Sequence, residues 1–149
     1  MLWLLGEKIV EVSCMADTLD KRNSNGNLID IPDNAVSILR TESGILGTMV
    51  NSYTNYGDWN NATFIYCTKG VMKIHHDNNY PLEIITRDKK RTLYKDEGEI
   101  DSKISDKFVD AIINDEGEAV TAEQARNAMK LVILLNESSK NKQFIKIEY

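Results

Sequence analysis

Residues 34–74 read NAVSILRTESGILGTMVNSYTNYGDWNNATFIYCTKGVMKI, and this stretch decides the fold. It divides into four runs rich in β-branched and aromatic residues. Asn34 to Glu42 turns at Ser43-Gly44 into Ile45 to Thr54. After a polar loop, Asn61 to Thr68 turns at Lys69-Gly70 into Val71 to His76. Gly44 and Gly70 stand where tight hairpins need a permissive backbone. Strands joined by so few residues must run antiparallel, because a parallel neighbour needs a crossover of about a dozen residues or more. In the third run Thr63, Ile65 and Cys67 point to one face, and Ala62, Phe64 and Tyr66 to the other. Neither set is plainly polar, so both faces are expected to be covered, one by helices and one by another chain or domain.

Outward from this stretch, Lys8 to Leu19 alternates as a long strand, with Val10 and Val12 facing the core. Met1 to Gly6, MLWLLG, reads as the last turn of a helix stopped by glycine. Lys21 to Asp33 is polar, turns at Asn25-Gly26, and is expected to be an exposed loop leading through Pro32 into the next strand. PLEIIT and RTLY form a further hairpin across Asp88 to Lys90. Ile104, Phe108, Ala111 and Ile112 recur at helical spacing between Asp101 and Asn114, with Asp101 or Ser102 as N-cap. Thr121 and Gln124 match a capping box. The helix behind it places Ala125, Ala128, Met129, Val132 and Leu135 on one face and runs to about Ser138. QFIKIEY closes the chain as a strand, with Phe144 on one face and Ile145 and Ile147 on the other. The fold class is α+β: a large, mainly antiparallel open sheet with helices packed on one face.

The 149 residues suit one domain, which would bury roughly 68–70% of its extended-chain surface. Hydrophobic content of 42%, charged content of 28% and a net charge of −5 are ordinary for a globular chain. No basic stripe appears, since Lys89-Lys90-Arg91 sits beside Asp88 in a turn, so nucleic acid is not an expected partner. No apolar run approaches a membrane span, and Met1 to Leu5 lacks the features of a signal peptide. Cys14 and Cys67 both fall in predicted strands and read as buried free thiols in a reducing compartment, which implies a cytoplasmic protein.

The loop Asn51 to Asn61, NSYTNYGDWNN, is the richest stretch for recognition. Its aromatics could cover the C–H faces of a sugar or polyol while amide and carboxylate groups fix hydroxyls. Tyr53, Asn55, Tyr56 and Trp59 are therefore the candidate substrate-binding residues. The same aromatics suit a dimer or domain contact, or plain loop packing. His75-His76, adjacent on the predicted strand, point to opposite faces, so they cannot readily chelate one ion, and surface or interface histidines are the expected reading. Asp115-Glu116-Gly117-Glu118 reads as a solvated acidic turn. No nucleophile constellation occurs, and no residue is assigned a catalytic, cofactor-binding or metal-binding role.

In order and spacing, the pieces WLLGE, DNAVSILRTESGILGTM, TKGVMKI, FVDAIIND and VTAEQARNAMKLVILLNESSKNKQFIKI resemble the C-terminal domain of the Gfo/Idh/MocA family of NAD(P)-dependent oxidoreductases, whose namesakes are glucose–fructose oxidoreductase and inositol dehydrogenase. The resemblance spans nearly the whole chain and implies a fold like the C-terminal domain of glyceraldehyde-3-phosphate dehydrogenase. The family's catalytic His and Asp precede the WLLG segment, so both positions would fall before Met1. Its catalytic Lys, in a Glu-Lys-Pro turn, and its dinucleotide fingerprint belong to an N-terminal Rossmann domain; this sequence has neither motif. The resemblance thus implies the substrate and oligomerisation half of a sugar or polyol dehydrogenase. That half would be inactive alone and would bind no NAD or NADP itself, although the full-length enzyme would use one of them. It is expected to form a homodimer through its open sheet face. The alternatives are a stand-alone α+β binding or interaction module, for which Met1 would be a natural start, and a small hydrolase, for which no constellation exists.

Overall fold

The computed structural model describes residues 2–55, 57, 61–75, 77, 79–95, 100–115 and 121–149, of which 2, 3 and 100–104 by their backbone. The elements are α1 (Leu2–Leu5), β1 (Ile9–Asp17), β2 (Asn34–Thr41), β3 (Leu46–Ser52), β4 (Thr63–Cys67), β5 (Gly70–Ile74), β6 (Leu82–Thr86), β7 (Arg91–Tyr94), α2 (Ile100–Asn114), α3 (Ala122–Asn141) and β8 (Ile145–Lys146). The class is α+β, and every strand pair is antiparallel. Among the described residues there are, in place of one large sheet, two of four strands, ordered β3-β2-β1-β8 and β4-β5-β6-β7. The four central runs are two hairpins in different sheets: β3 pairs with β2 and β4 with β5. The chain divides accordingly into two compact units, Met1–Tyr56 with Glu118–Tyr149, and Gly57–Gly117.

In the first unit, the core gathers Ile9, Val12, Cys14, Leu39, Leu135 and Ile147. Ile9 and Val12 share a face although simple alternation separates them. On β1 the register steps from Ile9 opposite Thr41 to Glu11 opposite Arg40, so one extra residue is accommodated at Val10. Such a bulge inverts the parity of all that follows. The expectation that Val10 faces the core is corrected: Val10 is half-buried, and Ile9 is fully buried in its place.

Helix α3 begins at the expected capping box, with Thr121 accepting from the Gln124 N–H and Gln124 Oε1 accepting from the Thr121 N–H. It runs through Asn141 to Lys142, whose backbone is left-handed at φ 55°. Its buried stripe differs from the predicted one: Leu131, Leu134, Leu135 and Ser138 face the sheet, whereas Ala125, Ala128, Met129 and Val132 are exposed. Ser138 sets that rotation. β8 pairs with β1 only at Glu11 and Val12. Beyond that, the Cys14 N–H donates to Ser138 Oγ at 3.0 Å, and Ser139 Oγ accepts from the Ala16 N–H at 2.8 Å and donates to the Ala16 carbonyl at 3.1 Å. Two helix hydroxyls thus continue the ladder where the last strand stops, satisfying backbone groups that would be costly to bury unpaired. Phe144 is exposed while Ile145 and Ile147 pack on the core, as alternation predicts.

The opposite face of this sheet is apolar and open. Met15, Val36 and Val50 stand in one cross-strand row at 81, 52 and 70% exposure. Ile38 and Leu46 continue the face in one direction along β2 and β3, and an Arg40–Glu11 ion pair at 3.2 Å stands in the row of Leu46.

In the second unit, Gly70 plays a different part from the expected one. Gly44 occupies the left-handed turn position, at φ 92°. Gly70 opens β5, and a Cβ there would meet the Ile85 carbonyl oxygen at 2.2 Å. It is required by the close approach of β6 and not by the turn. Cys14 is buried, but Cys67 is exposed at the end of β4, which corrects the expectation of two buried thiols. Helix α2 starts at Ile100, before both proposed caps, and of its stripe Ala111 is buried while Phe108 and Ile112 are exposed. With Val109 and Ile113 also exposed, its apolar residues extend over more than one face, too many for one contact to cover.

Candidate functional site

The stem of the polar loop is tied to the corner where β2 begins. The Tyr53 N–H donates to the Asp33 carbonyl at 2.8 Å, and Thr54 Oγ1 donates to Asn34 Oδ1 at 3.2 Å. Ser52 Oγ accepts from the Thr54 N–H at 3.2 Å, which tightens the exit from β3. This brings Tyr53, 65% exposed, and Asn55, also exposed, onto one anchored stem. The other two candidates, Tyr56 and Trp59, lie outside the described residues, as do Asp58 and Asn60.

The anchor is Asp33, 2% exposed, which corrects the expectation that the loop from Lys21 to Asp33 is exposed to its end. Its carboxylate accepts from the backbone N–H groups of Leu19, Asp20 and Lys21 at 2.8–2.9 Å, and from Asn34 Nδ2 at 2.8 Å. The Lys21 N–H, followed by those of Leu19 and Asp20 and by the Asn34 amide, outweighs burial and holds the carboxyl far below the usual range. The Asp33 backbone also receives from Tyr53 and donates to the Asp17 carbonyl, so one residue joins the ends of β1, β2 and β3. Its role is to position the stem. An aspartate beside an asparagine at a strand entrance was the available signal.

A second polar feature lies within the second unit. Asp77, Tyr80, Glu83, Arg91 and Leu93 line a pocket of about 240 Å³. Glu83, on β6, is 2% exposed, and a buried carboxylate must be paired. Lys73 stands directly opposite it on β5, with Nζ 3.0 Å from Oε2. Arg91 reaches it diagonally from β7, with Nε 2.8 Å from Oε1. The connection from β5 begins at His75, in a left-handed conformation at φ 52°, whose N–H donates to the Pro81 carbonyl at 2.7 Å. Asp77 Oδ1 accepts from the N–H groups of Asn79 and Tyr80 at 2.7 and 3.2 Å. His75 has left the strand, so alternation does not govern it; it is exposed, and His76 lies outside the described residues. A charge in the middle of PLEIIT, between two cation-bearing strands, was the legible signal for this cluster.

Among the described residues no group of His, Cys, Asp or Glu could hold a metal ion, and no helix is long and apolar enough to cross a membrane. Of the acidic turn, Asp115 is left-handed just after α2, and residues 116–118 lie outside the described residues. No glycine fingerprint of the dinucleotide-binding kind occurs in the sequence.

The sequence model of the GFO/IDH/MocA C-terminal domain matches residues 1–73. No curated protein matches the sequence. Among solved structures, a levoglucosan dehydrogenase in complex with NADH and levoglucosan aligns with a TM-score of 0.82 at 13% identity, covering 99% of this chain and 47% of that one. An aldose–aldose oxidoreductase from Caulobacter crescentus complexed with glycerol aligns at 0.77 and 14% identity, covering 98% of this chain and 43% of that one. The WlbA dehydrogenase from Bordetella pertussis, in complex with NADH and UDP-GlcNAcA, aligns at 0.71 and 17%, covering 99% and 41%. At these identities the likeness is one of fold, and the chain spans less than half the length of each of these structures.

Proposed function

We infer, from a chain that belongs to the Gfo/Idh/MocA family as its C-terminal domain, that its function is to bind substrate and dimerise for an NAD(P)-dependent sugar or polyol oxidoreductase. The observation that carries this reading is the coverage: oxidoreductase structures account for 98–99% of this chain with 43–47% of their own. Hydride transfer would belong to the complete enzyme, with NAD or NADP held by its Rossmann domain. In that enzyme Tyr53, Asn55, Tyr56 and Trp59 would contact the substrate. The anchored stem at Tyr53 supports this, and the glycerol, levoglucosan and UDP-sugar ligands of the aligned structures suit a polyhydroxylated substrate. A reducing, cytoplasmic setting accords with the unpaired Cys14 and Cys67.

The homodimer would use the open face at Met15, Val36 and Val50, since contiguous apolar surface of this kind marks association sites. Light scattering across micromolar concentrations tests this part. A dimer that Val50→Asp converts to a folded monomer is the expected result, and a wild-type monomer throughout the range would contradict it.

A further inference from the structure

We propose that Asn25 is a site of self-modification, at which water alone converts the side-chain amide to a carboxylate through a cyclic imide formed with the Gly26 nitrogen. The proposal does not rest on the role given to the chain in an oxidoreductase.

One pair of neighbours carries the chemistry. The Gly26 backbone nitrogen, once it gives up its proton, attacks the side-chain carbonyl carbon of Asn25. The bond from that carbon to the amide nitrogen breaks, and ammonia leaves. The five-membered imide then takes up one water at either of its carbonyls. Opening at the side-chain carbonyl gives an aspartate. Opening at the backbone carbonyl gives an isoaspartate, in which the main chain runs through the former side chain. Nothing is oxidised or reduced. Asparagine is thermolabile for this reason, and glycine places no Cβ beside the attacking nitrogen. The sequence holds no other Asn-Gly pair.

The loop itself requires that pair. The Asn23 N–H donates to the Asn27 carbonyl at 2.8 Å, which closes a hairpin around Ser24, Asn25 and Gly26. The Gly26 N–H donates to the Asn23 carbonyl at 3.0 Å, and Gly26 is left-handed at φ 79°. A turn followed by a left-handed residue is a common three-residue hairpin loop, and its last position favours glycine. The geometry that demands Gly26 thus sets it directly behind an exposed asparagine.

The same geometry selects among the three asparagines of the loop. Asn23 Oδ1 accepts from the N–H groups of Asn25 and Asn27 at 3.0 and 3.2 Å. Turning the Asn23 amide onto the Ser24 nitrogen breaks both bonds, and the Asn23 backbone is tied on both sides as well. Asn27 precedes Leu28, whose branched side chain crowds the attacking nitrogen and whose backbone bridges to Arg22. The Asn25 carboxamide has no hydrogen-bond partner among the described residues. Its brake is the bond from the Gly26 N–H to Asn23, which must open before the nitrogen can attack. One exposed hydrogen bond slows such a step by about tenfold at most.

The root of the loop is insulated from the change. The Ile29 N–H donates to the Lys21 carbonyl at 3.0 Å, and the Asp33 carboxylate holds the N–H groups of Leu19, Asp20 and Lys21. An extra main-chain carbon at position 25 therefore disturbs the tip, where Arg22 Nη1 donates to the Gly26 carbonyl at 2.9 Å, and adds one negative charge to a net charge of −5.

The test holds the purified chain at neutral and at mildly alkaline pH, folded and in guanidinium chloride. Its peptides are then sequenced by electron-transfer fragmentation, which separates aspartate from isoaspartate. The expected result in the folded chain is a mass gain of one dalton at position 25 alone, faster in proportion to hydroxide and within about tenfold of the denatured rate. Asn23 should convert only in the denatured chain. Amide shifts of the aged, folded chain should change from Arg22 to Leu28 and hold at Leu19, Asp20, Lys21 and Asp33. Asn25→Gln should stop the conversion, because the longer side chain must close a six-membered ring. A folded chain in which Asn25 stays intact, or in which Asn23 or Asn27 converts as fast as Asn25, would overturn the proposal.

Discussion

At Asp33 one carboxylate gathers three backbone N–H groups and the Asn34 amide, and its consequences for stability follow from the direction of its pKa. The folded value lies below the ordinary 3.8. The stabilisation is therefore fully present above that ordinary value and is lost as pH falls through the lower folded one. Asp33→Asn should lower Tm at pH 7, and the gap to wild type should close progressively below about pH 4. Melting curves from pH 7 down to pH 2 measure this, and a gap of constant size would contradict the assignment. Ser138 presents a second case. It is fully buried, accepts from the Cys14 N–H and donates to the Gln143 carbonyl at 2.6 Å. Ser138→Ala should cost roughly 1–3 kcal/mol in urea unfolding, because it orphans a buried amide. Neither role was legible in the sequence, because the partners of Ser138 and Ser139 in β1 lie more than 120 residues away. Tyr53 and Asn55 were legible as residue types in a loop, but the Asp33–Asn34 corner that holds their stem was not.

Among the elements, the hairpins were read from turn chemistry and β-branched runs, and the capping box from Thr121 and Gln124, because those signals are local. Rotation and parity were not local. The bulge at Val10 and the serine contacts of α3 each depend on a neighbouring element, and each changed a predicted buried set: Ile9 joins Val12 in place of Val10, and Leu131, Leu134 and Ser138 join Leu135. Two glycines allow an element-scale comparison. Gly70→Ala drives a Cβ into the Ile85 carbonyl, and overpacking of this sort costs about 1–3 kcal/mol or more. Gly44→Ala meets open space, but its φ of 92° strains any side chain, also by about 1–3 kcal/mol. Hydrogen exchange separates the two: Gly70→Ala should lower protection across β5 and β6, and Gly44→Ala across β2 and β3. Thr121→Ala should cost about 1 kcal/mol through loss of the cap, read by urea unfolding.

For the whole molecule, the proposal is that this chain would serve as the substrate-binding and dimerisation half of an oxidoreductase. The α+β class and antiparallel pairing were legible because hairpin turns and helical periodicity are written locally. The division into two sheets was not, since nothing in NSYTNYGDWNN states whether the strands on either side pair. In that proposal a second copy would cover the exposed row at Met15, Val36 and Val50. The most direct measurement is a titration of the purified chain with NADH and with NADPH, followed by nicotinamide fluorescence. The account predicts no saturable binding of either, because the nucleotide would belong to the Rossmann domain. Tight binding of either one would contradict it and place a dinucleotide site in these 149 residues.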